Sequence, residues 1–154
     1  MIRIAWGTGS AGTEMSSFDA ALAAAGLHQY NLRTLSSVIP AATRVEAVDT
    51  AGDLGPAGEA LDVVLARQTS PPGARAAAGL AWTDRSGPGL FYEAGDRDPE
   101  TVRERLRTGI ERGCELRGYG DADFERQVIT ADPSPDRYRT AAVVAAFGES
   151  TSLL

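Results

Sequence analysis

Apolar positions fall into short runs of two different periods, and those runs divide the chain into strands and helices. Ile2 to Trp6 is apolar except for Arg3, the pattern of a short buried strand, and the glycine-rich Gly7-Thr8-Gly9-Ser10-Ala11-Gly12 that follows predicts a flexible turn. Met15, Phe18, Leu22 and Ala25 then recur at helical spacing. They predict a helix over residues 13–25 with that face in the core, closed by Gly26 in a left-handed conformation. Asn31 to Ile39 reads as a second strand stopped by Pro40, Arg44 to Val48 as the start of another, and the turn-rich stretch Asp49 to Gly58 as a surface loop.

Beyond Ala60 the pattern is dominated by strands. Leu61–Thr69, Arg75–Thr83 and Leu90–Ala94 are separated by Ser70-Pro71-Pro72-Gly73 and Arg85-Ser86-Gly87-Pro88-Gly89, which predicts antiparallel neighbours. Asp98-Pro99-Glu100 is a helix start, with a capping acid before a proline in the first turn. Val102, Leu106, Ile110 and Cys114 form its apolar stripe, and Gly118 ends it. Phe124–Ala131 and Tyr138–Phe147 supply two closing strands, and residues 148–154 are expected to fray. Two helices and about seven strands, mostly in runs, predict an α+β layered sandwich in one domain spanning residues 1–154, its helices covering antiparallel sheets.

Charge and composition narrow the partners. A net charge of -6 removes the electrostatic term that nucleic acids and anionic membranes require and favours a small cationic partner. The chain lacks an apolar stretch of bilayer length, and a lone cysteine, Cys114, excludes an intrachain disulfide; a reducing, cytoplasmic setting is expected. With His28 as the sole histidine, a Cys/His metal cluster cannot form, and no metal is expected. All fifteen basic residues are arginine. Without lysine, neither a lysine Schiff base nor lysine-anchored pyridoxal phosphate is available for amine chemistry.

Two motifs carry chemistry. Gly7 to Gly12 matches G-x-G-x-x-G between an expected strand and helix, which raises dinucleotide binding. Against it, no crossover helix follows until Pro99 and no acid ends the second strand, so a turn allowing close backbone approach is the favoured reading. The second motif is the pair Ser36-Ser37 in the run from Tyr30 to Pro40. If Ser37 attacks the carbonyl carbon of Ser36, the peptide bond becomes an ester, and elimination followed by hydrolysis leaves a pyruvoyl group. Such a shift needs a tightly held backbone and a donor to the oxyanion, for which Asn31 is a candidate. Taken alone, a serine pair is equally a pair of surface hydroxyls or a turn cap.

The surrounding residues decide between these. Ser17-Phe18-Asp19-Ala20-Ala21-Leu22, Ala25-Gly26-Leu27, Tyr30-Asn31-Leu32 and Ser36-Ser37-Val38-Ile39-Pro40 together resemble the pyruvoyl-dependent arginine decarboxylase family. Gly7-Thr8-Gly9 and Gly89-Leu90-Phe91-Tyr92-Glu93 extend the resemblance from about Ile2 to Phe147. The chain departs from the family pattern at Pro40-Ala41, where a double proline is familiar, and at Trp6, where relatives often carry a basic residue.

The resemblance implies a four-layer αββα sandwich and self-cleavage after Ser36 into a β chain, residues 1–36, and an α chain, residues 37–154, whose first residue is a pyruvoyl group derived from Ser37. That covalent cofactor would form a Schiff base with L-arginine and release CO2 and agmatine. Glu93 matches the proton donor, Asn31 the asparagine near the cleavage site, and Asp19 the carboxylate that meets the substrate guanidinium. Family members are trimers with active sites between subunits; a homotrimer is expected, and pairing of two trimers stays open. The alternative is an unprocessed relative that binds a small ligand or serves assembly without catalysis.

Plainer roles exist for each residue. Asp19 is equally a solvated helix charge, Glu93 an edge charge that would need partial burial to carry a proton, and Asn31 a partner for backbone groups. His28 reads as a surface or interface residue and Cys114 as a small hydrophobe. Arg103, Arg105, Arg107 and Arg112 read as a solvated helix face with Glu104, Glu111 and Glu115.

Overall fold

The computed structural model describes residues 1–154 and resolves nine strands and two helices. In chain order they are β1 (Ile2–Ala11), α1 (Glu14–Ala25), β2 (Asn31–Thr34), β3 (Val38–Ile39), β4 (Val45–Asp49) and β5 (Ala60–Ser70). Then come β6 (Ala76–Thr83), β7 (Gly89–Asp96), α2 (Pro99–Arg117), β8 (Phe124–Ala131) and β9 (Tyr138–Phe147). One sheet has the order β2-β5-β9-β1-β4 and the other β3-β7-β6-β8. Pairing is antiparallel except at both edges of the first sheet, where β4 runs parallel to β1 and β2 parallel to β5.

Period-two burial explains the layering. Val143 and Ala145 of β9 face the core between the sheets, while Val144 and Ala146 face the layer under α1. Ala76, Ala78, Leu80 and Trp82 of β6 join the inter-sheet core, and Ala77 and Ala81 pack with Val102, Leu106, Ile110 and Cys114 of α2. Strands buried on both faces read as continuous apolar runs, and three stacked cores make four layers, αββα. Burial pushes the Cys114 thiol above its ordinary range, as suits a core residue rather than a nucleophile.

Several expectations change. Gly7-Thr8-Gly9-Ser10-Ala11 is not a turn but the second half of β1, paired in register with β9 from Ile2↔Phe147 to Ala11↔Tyr138. Its glycines do allow close approach, but of a helix: a Cβ at Gly9 would overlap the Ser17 carbonyl oxygen and one at Gly7 the Ala21 carbonyl oxygen. The dinucleotide reading therefore loses its loop. That tight seat also rotates α1, burying Ser17, Ala21, Leu22 and Ala25 and leaving Met15 exposed. Ser17 Oγ shares a hydrogen bond with Thr140 Oγ1 at 2.7 Å, which shares another with Thr69 Oγ1 at 2.7 Å, so the helix is pinned by hydroxyls as well as by shape. Gly26 ends α1 with φ +80°, as expected.

Leu61–Thr69 and Arg75–Thr83 are not neighbours; β5 and β6 lie in different sheets, and the Ser70–Pro72 stretch turns the chain across the sandwich. Ala51 and Leu54 of the expected surface loop are buried under α1. The tail is held as far as Thr151, which exchanges backbone hydrogen bonds with Ala60 at 2.8 and 2.9 Å. We expect Gly9→Val to force α1 off the sheet and cost about 3 kcal/mol. Urea unfolding checks this, and an unchanged midpoint would mean that the helix relaxes at no cost.

Candidate active site

The segment read as one strand from Asn31 to Ile39 is two. Asn31–Thr34 pairs with β5 in the first sheet, and Val38–Ile39 pairs with β7 in the second. Leu35, Ser36 and Ser37 form the crossover, a place no periodicity marks. It is fixed at both ends: Leu35 N donates to Val63 O at 2.8 Å, and Phe91 N donates to Ser37 O at 2.8 Å. Ser36 lies between these anchors, exposed, just before the bend at Ser37.

Ser37 Oγ donates to Glu93 Oε2 at 2.8 Å, joining positions 56 residues apart. Beside them is a cavity of about 450 Å³, the size of a small-molecule site. Leu90, Phe91 and Tyr92 of β7 and Gly109, Arg112, Gly113, Leu116 and Arg117 of α2 complete its lining. The helix face is smooth because glycines recur four residues apart: a Cβ at Gly109 would strike the Tyr92 ring and one at Gly113 the Leu90 side chain. Two guanidinium groups against one carboxylate make this lining cationic in a chain of charge -6. Arg112 is exposed, as the solvated stripe predicts, and also lines this cavity. Arg105 stays exposed in that stripe while reaching β7, 3.4 Å from Asp96.

Sequence reasoning did not find Tyr92, Arg112, Leu116 and Arg117 as lining residues. The one local signal was the Gly109-x-x-x-Gly113 spacing, which leaves a groove along the helix.

The other two residues stand elsewhere. Asn31 Nδ2 donates to Gly58 O at 2.8 Å, and Asn31 lines an open cleft with Phe18, Leu22, Thr34 and Arg67, whose guanidinium sits 4.6 Å above the Phe18 ring. Asp19 is exposed on α1 and makes no ion pair within the chain. Within one chain, then, Ser37 and Glu93 meet at the second sheet, while Asn31 and Asp19 belong to the α1 side of the first. Glu93 itself is exposed, so any burial it requires must come from outside the chain. His28 is exposed in the α1–β2 connection. Neither helix is long and apolar enough to cross a membrane.

Comparison with known proteins gives this geometry a context. The family model described as pyruvoyl-dependent arginine decarboxylase matches residues 1–152. A protein of that name from Halobacterium salinarum is 51% identical over 97% of this chain and 94% of its own length. Others of the same name are 34% identical in Pyrococcus horikoshii, over 87% of this chain and 85% of the relative, and 32% identical in Methanopyrus kandleri, over 91% and 89%. With a match running through both helices and all nine strands, the chain belongs to the pyruvoyl-dependent arginine decarboxylase family.

Proposed function

We propose that the chain cuts its own backbone between Ser36 and Ser37, converts Ser37 into a pyruvoyl group and uses it to turn L-arginine into agmatine and CO2. The observation that carries this reading is the hydrogen bond from Ser37 Oγ to Glu93 Oε2, a nucleophile and a base already in contact beside a ligand-sized cavity. The products are a β chain of residues 1–36 and an α chain of residues 37–154. They stay together because β1, α1 and β2 of the first piece are paired with, or packed on, β9, β4 and β5 of the second.

Once formed, the pyruvoyl group supplies an electrophilic ketone for the substrate amine and a sink for the electron pair left by CO2. The chain does the rest. Phe91 N–H holds the Ser37 carbonyl, which survives as the amide half of the group, and so fixes its orientation. Glu93 keeps a proton within reach of the site and returns it to the substrate α-carbon.

The cationic lining set by Arg112 and Arg117 repels a guanidinium, so the substrate's far end must point out of this cavity. Asp19 meets it there, on a neighbouring copy in a homotrimer, with Asn31 brought along in the cleft beside it. Supporting this, Leu35 and Val38 flank the serine pair exposed, and Tyr92 and Leu116 line the cavity exposed; together they make an apolar surround that a neighbour would cover. A second copy also supplies the burial that Glu93 lacks. The buried Cys114 thiol is compatible with a reducing cytoplasm.

Denaturing mass spectrometry of freshly purified, active protein tests the reading. Two fragments split after Ser36 are expected, the larger resistant to Edman chemistry; an unbroken chain of 16.1 kDa making agmatine would defeat it. Asp19→Ala should leave cleavage intact and raise KM for arginine about 10- to 100-fold, the range for losing a charge-assisted hydrogen bond. An unchanged KM would move the guanidinium pocket elsewhere.

A further inference from the structure

We propose that the main-chain N–H of Val38 is the oxyanion donor for backbone cleavage at Ser36–Ser37; this rests on the cleavage reading above and names the group that reading lacks. Val38 N donates to Ser36 O at 3.0 Å, closing a three-residue turn over Ser37. Ser37 is not among the residues with positive φ, so the turn takes the inverse, low-strain form. Ser36 O has no other hydrogen-bond donor in the chain; the Asn31 amide nitrogen donates to Gly58 O at 2.8 Å and makes no bond to Ser36 O.

Strand alternation explains why this N–H is free for the task. Phe91 N bonds to Ser37 O, so the next pair, Val38↔Leu90, is the one that exchanges no hydrogen bonds, and the Val38 N–H points away from β7. The β3–β7 pairing thus aims it back over the crossover. One residue therefore has its hydroxyl on a carboxylate, while the carbonyl it must attack is already held by an amide at the distance expected of an oxyanion-hole donor.

The step balances without an added oxidant or reductant. Glu93 takes the Ser37 Oγ proton as Oγ bonds to the Ser36 carbonyl carbon. The carbonyl π pair moves onto Ser36 O, where the Val38 N–H holds the negative charge. Collapse of that oxyanion breaks the bond from Ser36 C to Ser37 N, which takes up the proton and leaves an ester. Loss of the Ser37 α-proton then expels the Ser36 carboxylate from Cβ, and one water hydrolyses the resulting enamine, through its imine, to the ketone and ammonia.

The test replaces Val38 by its α-hydroxy acid in the full-length chain, built by ligation. The backbone then carries an ester oxygen in place of the N–H, with the same side chain. Cleavage after refolding, followed by denaturing mass spectrometry, should slow about 10²- to 10³-fold, the usual loss for one oxyanion donor. Val38→Pro, which also removes the N–H, should match the ester analogue. Hydroxylamine, which cuts a preformed ester, should speed cleavage of the unmodified chain after residue 36; in the analogue it also cuts the introduced ester after residue 37, so rescue is read only from the fragment ending at residue 36, which should not appear. An analogue that cleaves within twofold of the unmodified chain, or that hydroxylamine restores, overturns this assignment and leaves the cleavage reading standing. An unmodified chain that never cleaves overturns that reading instead.

Discussion

Ser37→Ala is expected to leave the chain in one piece of 16.1 kDa and to reduce agmatine formation to background. In the proposed cleavage the hydroxyl of Ser37 has two uses that no neighbour can replace: its oxygen attacks the Ser36 carbonyl, and the same oxygen then leaves Cβ with the Ser36 carboxylate. Alanine lacks both, so neither the break nor the ketone can form. Ser36 contributes its carbonyl, and its side chain is exposed and makes no hydrogen bond, so Ser36→Ala should still cleave. The comparison separates the two serines by role. Cleavage in Ser37→Ala, or its loss in Ser36→Ala with retention in Ser37→Ala, would reassign the nucleophile.

Glu93→Gln is expected to slow cleavage and, in the fraction that does cleave, to lower kcat by about 10²- to 10⁴-fold with little change in KM. Glutamine keeps the shape of the side chain and an oxygen that can accept from Ser37 Oγ, but it neither takes the serine proton nor returns one to the product. The contact should survive while the chemistry fails. Activity must be normalised to cleaved protein, since both steps are affected. Wild-type values for both would leave the 2.8 Å contact as packing and send the search for the proton donor elsewhere in the cavity.

The position of the serine pair has a mechanical reason. A peptide bond inside a ladder is held by its partners on either side, and cutting it would cost pairing. Here the pair lies on the crossover between sheets, anchored by Leu35 on one and Ser37 on the other, so the break removes no strand pairing. Ser37, the new terminus of the proposed cleavage, is held by Phe91 from behind. The crossover also makes each piece contribute to shared cores: Leu22, Ala25 and Leu27 of the first pack with Leu61, Val63 and Val144 of the second.

Much of this protein is written locally in its residues. The Asp98-Pro99 start and Gly118 stop of α2, the Gly26 stop of α1, and the strands β6, β8 and β9 follow from caps, turns and apolar runs that act over a few residues. The family was also legible, because its markers are short segments in fixed order between Gly7 and Pro40. Tertiary structure decided what those signals cannot carry. Gly7 and Gly9 look the same whether they turn a loop or admit a helix, and only the approach of Ser17 and Ala21 tells which. The run from Asn31 to Ile39 has the apolar content of one strand, yet its two ends serve different sheets, since period-two burial records that a residue is covered but not by what. Ser37 and Glu93 are 56 residues apart, and Arg112 is charged enough to read as solvated; their meeting around one cavity depends on how β3, β7 and α2 stack. Local chemistry selects the elements. Which surfaces they present to one another is settled only when the sheets close over a common core.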